Sequence, residues 1–183
     1  MTPTAVSIIA AWPEESREAA QVVIDAHGEP DEASVSELTW FDKGEWKRIV
    51  AQRAFWAHDF PAPHHDSVET FIDYQVPLGK YTSVAEFDGS IMLERTSGEV
   101  SARCHDEQAN RLALNLMHDI VVSTKDVAEA RDYYAKEFLD ARRKQPTPYM
   151  TRLQFQPQAG SADADQRVLT DKQLEDATAE GGT

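Results

Sequence analysis

Apolar residues recur along this chain with two periods, and each predicts a kind of element. Ala19, Val22, Val23 and Ala26 fall three and four apart, which gathers them on one side of an α-helix. Pro13-Glu14-Glu15 supplies its start, with Pro tolerated in the first turn and acids at the positive end. Gly28 and Pro30 supply its stop. Ahead of it, VSIIA at 6–10 reads as a short strand. LTWF-DKGE-WKRIV at 38–50 predicts a β-hairpin, with Gly44 in the left-handed turn position. IMLERT-SG-EVSARC at 91–104 predicts a second hairpin around a two-residue Ser97-Gly98 turn. Pairing Thr96 with Glu99 then sets Arg95 against Val100, Leu93 against Ala102 and Ile91 against Cys104 on a mostly apolar face.

The strongest helical pattern is DEQANRLALNLMHDIVV at 106–122, whose core stripe is Ala109, Leu112, Ala113, Leu116 and Ile120. A second helix over 127–144 follows a capping-box-like start at Ser123 and Asp126. Its stripe is Val127, Ala130, Tyr134 and Phe138, and the short connection predicts a helical hairpin. Between the two β-hairpins, Asp66 with Glu69 three residues later reads as the N-cap of a short helix over 67–73. The expected fold is α+β. An antiparallel sheet built from two β-hairpins is packed on one face by the N-terminal helix and the C-terminal helical hairpin. Beyond residue 155 the chain turns small, polar and acidic, so 1–155 is expected as one domain and 156–183 as an acidic disordered tail.

Charge narrows the partners. The 183 residues carry a formal net charge of −14, and the longest basic cluster, Arg142-Arg143-Lys144, suits the negative end of its own helix. No patch is built for neutralising nucleic-acid phosphates. The single cysteine, Cys104, excludes an intramolecular disulfide and fits a cytoplasmic, reducing setting. The early run VSIIAAW has no basic residue before it and is too short to span a bilayer, so no membrane association is expected.

The candidate chemistry starts from HDFPAPHHD at 58–66, where three histidines and two aspartates surround two prolines. Pro61 and Pro63 favour an extended path, and at about 3.1 Å per residue His58 and His64 then lie roughly 19 Å apart. Donors to one ion each sit about 2 Å from it. His58 is therefore not expected to join His64, unless the loop doubles back. His64 and Asp66 remain a local pair. His118, beside Asp119 on the flank Glu107, Arg111, Asn115 of the long helix, is expected to face the sheet. Arg95, on the apolar face of its hairpin, needs Asp119 or a substrate carboxylate as partner. Cys104 ends a predicted strand on its apolar face and His105 follows it into the turn before the long helix; adjacent strand residues point to opposite faces, so the two are not expected to act together.

Two functions follow. In the first, the chain is a small ligand- or metal-binding domain, in one form an enzyme acting on a small anionic substrate. His64, Asp66 and His118 do the acid–base work, and Arg95, Glu94, Arg103 and Asn115 hold the substrate. A divalent metal, the cofactor such a set would take, is held by His64 and His118. In the second, the chain is a non-catalytic accessory protein that meets a protein partner through aromatic surface and an acidic tail.

Overall fold

The computed structural model describes residues 3–181. The elements run, in chain order, α1 (Ala5–Ile9), α2 (Glu14–His27), β1 (Glu32–Ala33), β2 (Glu37–Lys43), β3 (Trp46–His58) and β4 (His64–Asp73). They continue with α3 (Tyr81–Phe87), β5 (Ile91–Glu94), β6 (Glu99–Cys104), α4 (Glu107–Val121), α5 (Val127–Arg142), α6 (Pro148–Thr151) and α7 (Asp171–Gly181). The strands form one antiparallel sheet in the order β1-β2-β3-β4-β6-β5. The chain is α+β, and among the described residues no helix is long and apolar enough to cross a membrane.

Register explains the core. Trp40 pairs with Ile49, Ile49 with Thr70, Thr70 with Ala102 and Ala102 with Ile91. One row away, Leu38 pairs with Ala51, Ala51 with Val68 and Val68 with Cys104. Paired residues share a face, so these two rows present a continuous buried surface. Helix α2 packs on β3 and β4, and α4 packs on β4 and β6. Leu112, Leu116 and Ile120 of α4 belong to the same core as Val23 of α2. Asp106 caps α4 by accepting the Ala109 N–H, and Gly28 ends α2 at φ 78°.

Several expectations are corrected. VSIIA is not a strand: Thr4 caps α1 by accepting the Ser7 N–H, and Ala5 and Ile9, four apart, are its buried positions. Residues 67–73 are not a helix. They lie in β4, a strand paired on both edges, as the β-branched and aromatic Val68, Thr70, Phe71 and Ile72 favour. The sheet therefore contains a strand that belongs to neither predicted hairpin. The second hairpin slips by two residues, pairing Glu94 with Glu99 and Leu93 with Val100 around the four-residue turn Arg95–Gly98. A slip of two keeps every side chain on its face. The capping box of α5 is Asp126 with Glu129, while Ser123 sits at φ 62° in the turn before it.

The segment expected as a disordered tail follows the sheet before it reaches α7. Gln158 donates its N–H to the Asp73 carbonyl at 2.7 Å, and the buried Ser161 hydroxyl donates to the Gly98 carbonyl at 2.6 Å. Helix α7 itself has no buried residue.

Candidate metal centre

Strand β3 runs on to His58, and the chain doubles back through Asp59–Pro63 into β4, so His58 and His64 are partners in the ladder. Their ring centroids are 4.9 Å apart. The extended path expected across the two prolines does not form, because this segment is the connection of a long hairpin. Asp66, two residues along β4, lies on the same face as His64 and is buried. From the neighbouring strand, Cys104 ends β6 opposite Val68, and His105 follows it in the bend before α4.

Asp66 and Cys104 converge on one atom, His64 Nε2. It lies 3.0 Å from Asp66 Oδ1 and 3.2 Å from Cys104 Sγ. His58 Nδ1 approaches Asp66 Oδ2 at 3.1 Å, and His105 Nδ1 approaches Cys104 Sγ at 3.3 Å. The far nitrogen of each ring also faces an oxygen. His64 Nδ1 donates to the Ala62 carbonyl at 2.9 Å, His58 Nε2 lies 3.8 Å from Asp88 Oδ1, and His105 Nε2 lies 3.1 Å from Asp106 Oδ2. A carbonyl can only accept, so Nδ1 carries a proton, and in the neutral ring the Nε2 lone pair faces the cluster. Metal-binding histidines are held in this way, one nitrogen on the ion and the other on an oxygen.

The polar balance inside the cluster is incomplete. His58 Nδ1 and Asp66 Oδ1 are buried and have no aligned hydrogen-bond partner, although both lie within ion-pair distance of neighbours. These contacts are close but lack hydrogen-bond geometry, and a buried polar atom left so is costly. Burial opposes a charge on His64, but Asp66, the Ala62 carbonyl and the charge of Asp88 together outweigh it and raise its pKa above the usual value. Burial holds the Cys104 thiol well above its ordinary value, and the charges of Asp66, Asp106 and Asp88 push the same way. An unaided Cys104 is therefore a poor nucleophile at neutral pH.

Two overlapping donor sets result, His58–His64–Asp66 and His64–Cys104–His105, each with donor atoms within 4.8 Å of one another. Donors about 2.0–2.3 Å from a tetrahedral ion stand roughly 3.3–3.8 Å apart, so modest rotamer changes would close either set.

The other predicted residues lie elsewhere. His118 on α4 accepts the Tyr74 hydroxyl proton or donates to its oxygen across 2.7 Å, and stacks on Phe155 with centroids 4.4 Å apart. Burial lowers its pKa against the opposing pull of Asp119. Neither donor set includes it. Asn115 fastens the segment after α5, donating to the Tyr149 and Arg152 carbonyls and accepting the Gln154 N–H. Glu94 closes its own turn by accepting the Thr96 and Ser97 N–H groups. Arg95 finds its carboxylates in the chain's own tail, at Asp163 and Asp165, in place of Asp119 or a substrate. Arg103 is the exception: its guanidinium lies 4.1 Å above the Trp56 ring, and it lines a cavity together with His58 and Asp66.

Sequence reasoning passed over His58, Cys104, His105, Asp88 and Asp106 as members of one cluster. The signal available was local: Cys104-His105-Asp106 ends a strand, and strand alternation stops where the strand does. Comparison with protein-family models, with curated proteins and with solved structures finds no match to this chain.

Proposed function

We propose that this protein binds one divalent transition-metal ion at the end of the β3–β4 hairpin, through His58, His64 and Asp66. The observation that carries this reading is the pair of buried, misaligned atoms, His58 Nδ1 and Asp66 Oδ1, on residues whose donor atoms lie within 4.8 Å of that of His64. A cation among the three would satisfy all of them at once. Two imidazoles and a carboxylate suit zinc, iron or manganese, and three protein donors leave coordination positions for water or a ligand. The cavity that His58 and Asp66 border would give those positions access to solvent. Cys104 and His105 form the second set on the same His64, and a thiolate there would favour zinc. A reducing compartment fits this chemistry, since oxidation of Cys104 would remove a donor.

The test is metal content of untagged protein, followed by thermal melts with zinc, manganese and iron(II), before and after chelation. We expect one ion per chain. A metal at one hundred times its Kd adds about 2.7 kcal/mol, which raises Tm by roughly 5–10 °C in a chain of this size. His64→Ala should remove both the ion and the shift, whereas Cys104→Ser separates the two donor sets by leaving the His58–His64–Asp66 site loaded. Absence of metal together with unchanged melts would overturn the proposal.

A further inference from the structure

The cavity beside the proposed ion carries a second group whose bonding is unfinished. It has a volume of about 220 Å³ and is lined by Trp56, His58, Asp66, Ser90 and Arg103, among others. Arg103 Nε is buried without a hydrogen-bond partner. The guanidinium is held over the Trp56 ring, and among the described residues no carboxylate lies within ion-pair range of it. Glu69, its partner across the β4–β6 pair, takes the Ser101 hydroxyl instead, at 2.5 Å. In a chain of net charge −14, an arginine at a cavity with no carboxylate paired to it is an open anion-binding edge. Guanidinium Nε–H and Nη–H groups form a flat fork that matches the two oxygens of a carboxylate. The ring beneath it fixes the plane of that fork and limits the freedom lost on binding.

We infer that this cavity is a carboxylate-binding subsite, in which Arg103 grips a small carboxylate-bearing molecule next to the metal. The inference rests on the metal reading, because Asp66 in the cavity lining and Asp88 bonded behind Ser90 would otherwise leave the cavity negative and repel an anion. With a divalent ion on His58, His64 and Asp66, that charge is balanced. The bound carboxylate, or a group attached to it, then lies beside the ion's open coordination positions. Ser90 does not compete for it, since its hydroxyl and its N–H both go to Asp88 Oδ1, at 2.7 and 2.8 Å.

The experiment uses cobalt(II)-loaded full-length protein titrated with acetate, and with inorganic phosphate as a second anion. Visible absorption follows the ion, and the part of the tryptophan fluorescence that Trp56→Phe removes follows the cavity. Wild-type protein should show saturable changes with acetate, at lower concentrations than with phosphate. Arg103→Gln should still load one cobalt with the same starting spectrum, but bind acetate at least tenfold more weakly. Arg103→Lys, which keeps the charge and loses the fork, should fall between the two and guards against a Gln variant that does not fold. Equal acetate affinity in loaded wild type and loaded Arg103 variants would overturn the subsite and leave the metal reading standing. Tighter binding of phosphate than acetate would overturn the carboxylate assignment. Failure of the wild type to load any metal would overturn the metal reading itself, and the subsite with it.

Discussion

At the scale of single residues, the side chains that sequence marks as chemical divide by what surrounds them. His118 and His64 are both half-buried histidines, yet each nitrogen of His64 meets an oxygen or a sulfur, whereas His118 has one hydroxyl and an aromatic face. His118→Ala should therefore cost about 1–3 kcal/mol, from the lost Tyr74 bond and the lost stack on Phe155. Metal content should stay at the wild-type level, and denaturant melts beside metal analysis check both halves of that statement. Glu94 gives a pH-dependent case. Hydrogen bonds from Ser97 and Thr96 hold its pKa at about 2, below its ordinary 4.5. A depressed carboxylate stabilises the fold above its unfolded pKa, and the contribution fades as pH falls through the folded value. Glu94→Gln should accordingly be less stable than wild type at pH 7, and the gap should close between pH 4.5 and 2. Because Glu94 is exposed, the gap is small, and urea midpoints at several pH values are the suitable readout.

At the scale of elements, the turn between β5 and β6 couples the sheet to the C-terminal segment. Gly98 has φ 70°, and a Cβ there would run into the backbone of Ser161 and Ala162. Gly98→Ala is thus strained twice, by its backbone conformation and by contact, and should cost about 1–3 kcal/mol in a thermal or chemical melt. In a chain ending at residue 156 the contact is gone and the cost should shrink to the backbone part alone. The β3–β4 hairpin shows the reverse dependence. Its ladder breaks register between Ala51 and Trp56 and resumes with Trp56 opposite Asp66 and His58 opposite His64. This is how the irregular end of a regular strand pair brings two histidines and an aspartate together. Bulges that re-aim side chains next to functional groups are a recurring use of such irregularity.

At the scale of the whole molecule, the acidic C-terminal segment has two parts with different roles. Residues 158–165 bond to Asp73, Gly98 and Arg95 across one edge of the fold. Asp171–Gly181 bury nothing. A chain ending at residue 169 should melt within a degree or two of the full chain, while one ending at 156 should lose several degrees, because Arg95 is left without its acids and the turn without its cover. Equal melting temperatures for the two truncations would show that these contacts contribute nothing. The proposed metal site lies at the opposite end of β4 from Asp73, so neither truncation should change metal content.

The three longest helices and the α+β class were legible from residue order alone, because periodicity, caps and turn residues act within a few positions of each other. α2, α4 and α5 have their apolar stripes at three- and four-residue spacing, and Gly44 sits at φ 64° in its hairpin turn. Local signals misled where two readings share a pattern: Asp66…Glu69 matches a helix cap, but flanking strands on both sides made it part of β4. The candidate metal-binding cluster was half legible. His64 and Asp66 are neighbours in the chain, but His58 reaches them through a hairpin, and Cys104 with His105 through a strand forty residues on. Which donors meet at one atom is decided by strand order and register, which are tertiary properties, since the hydrogen-bonded ladder brings together residues that sequence separation keeps apart.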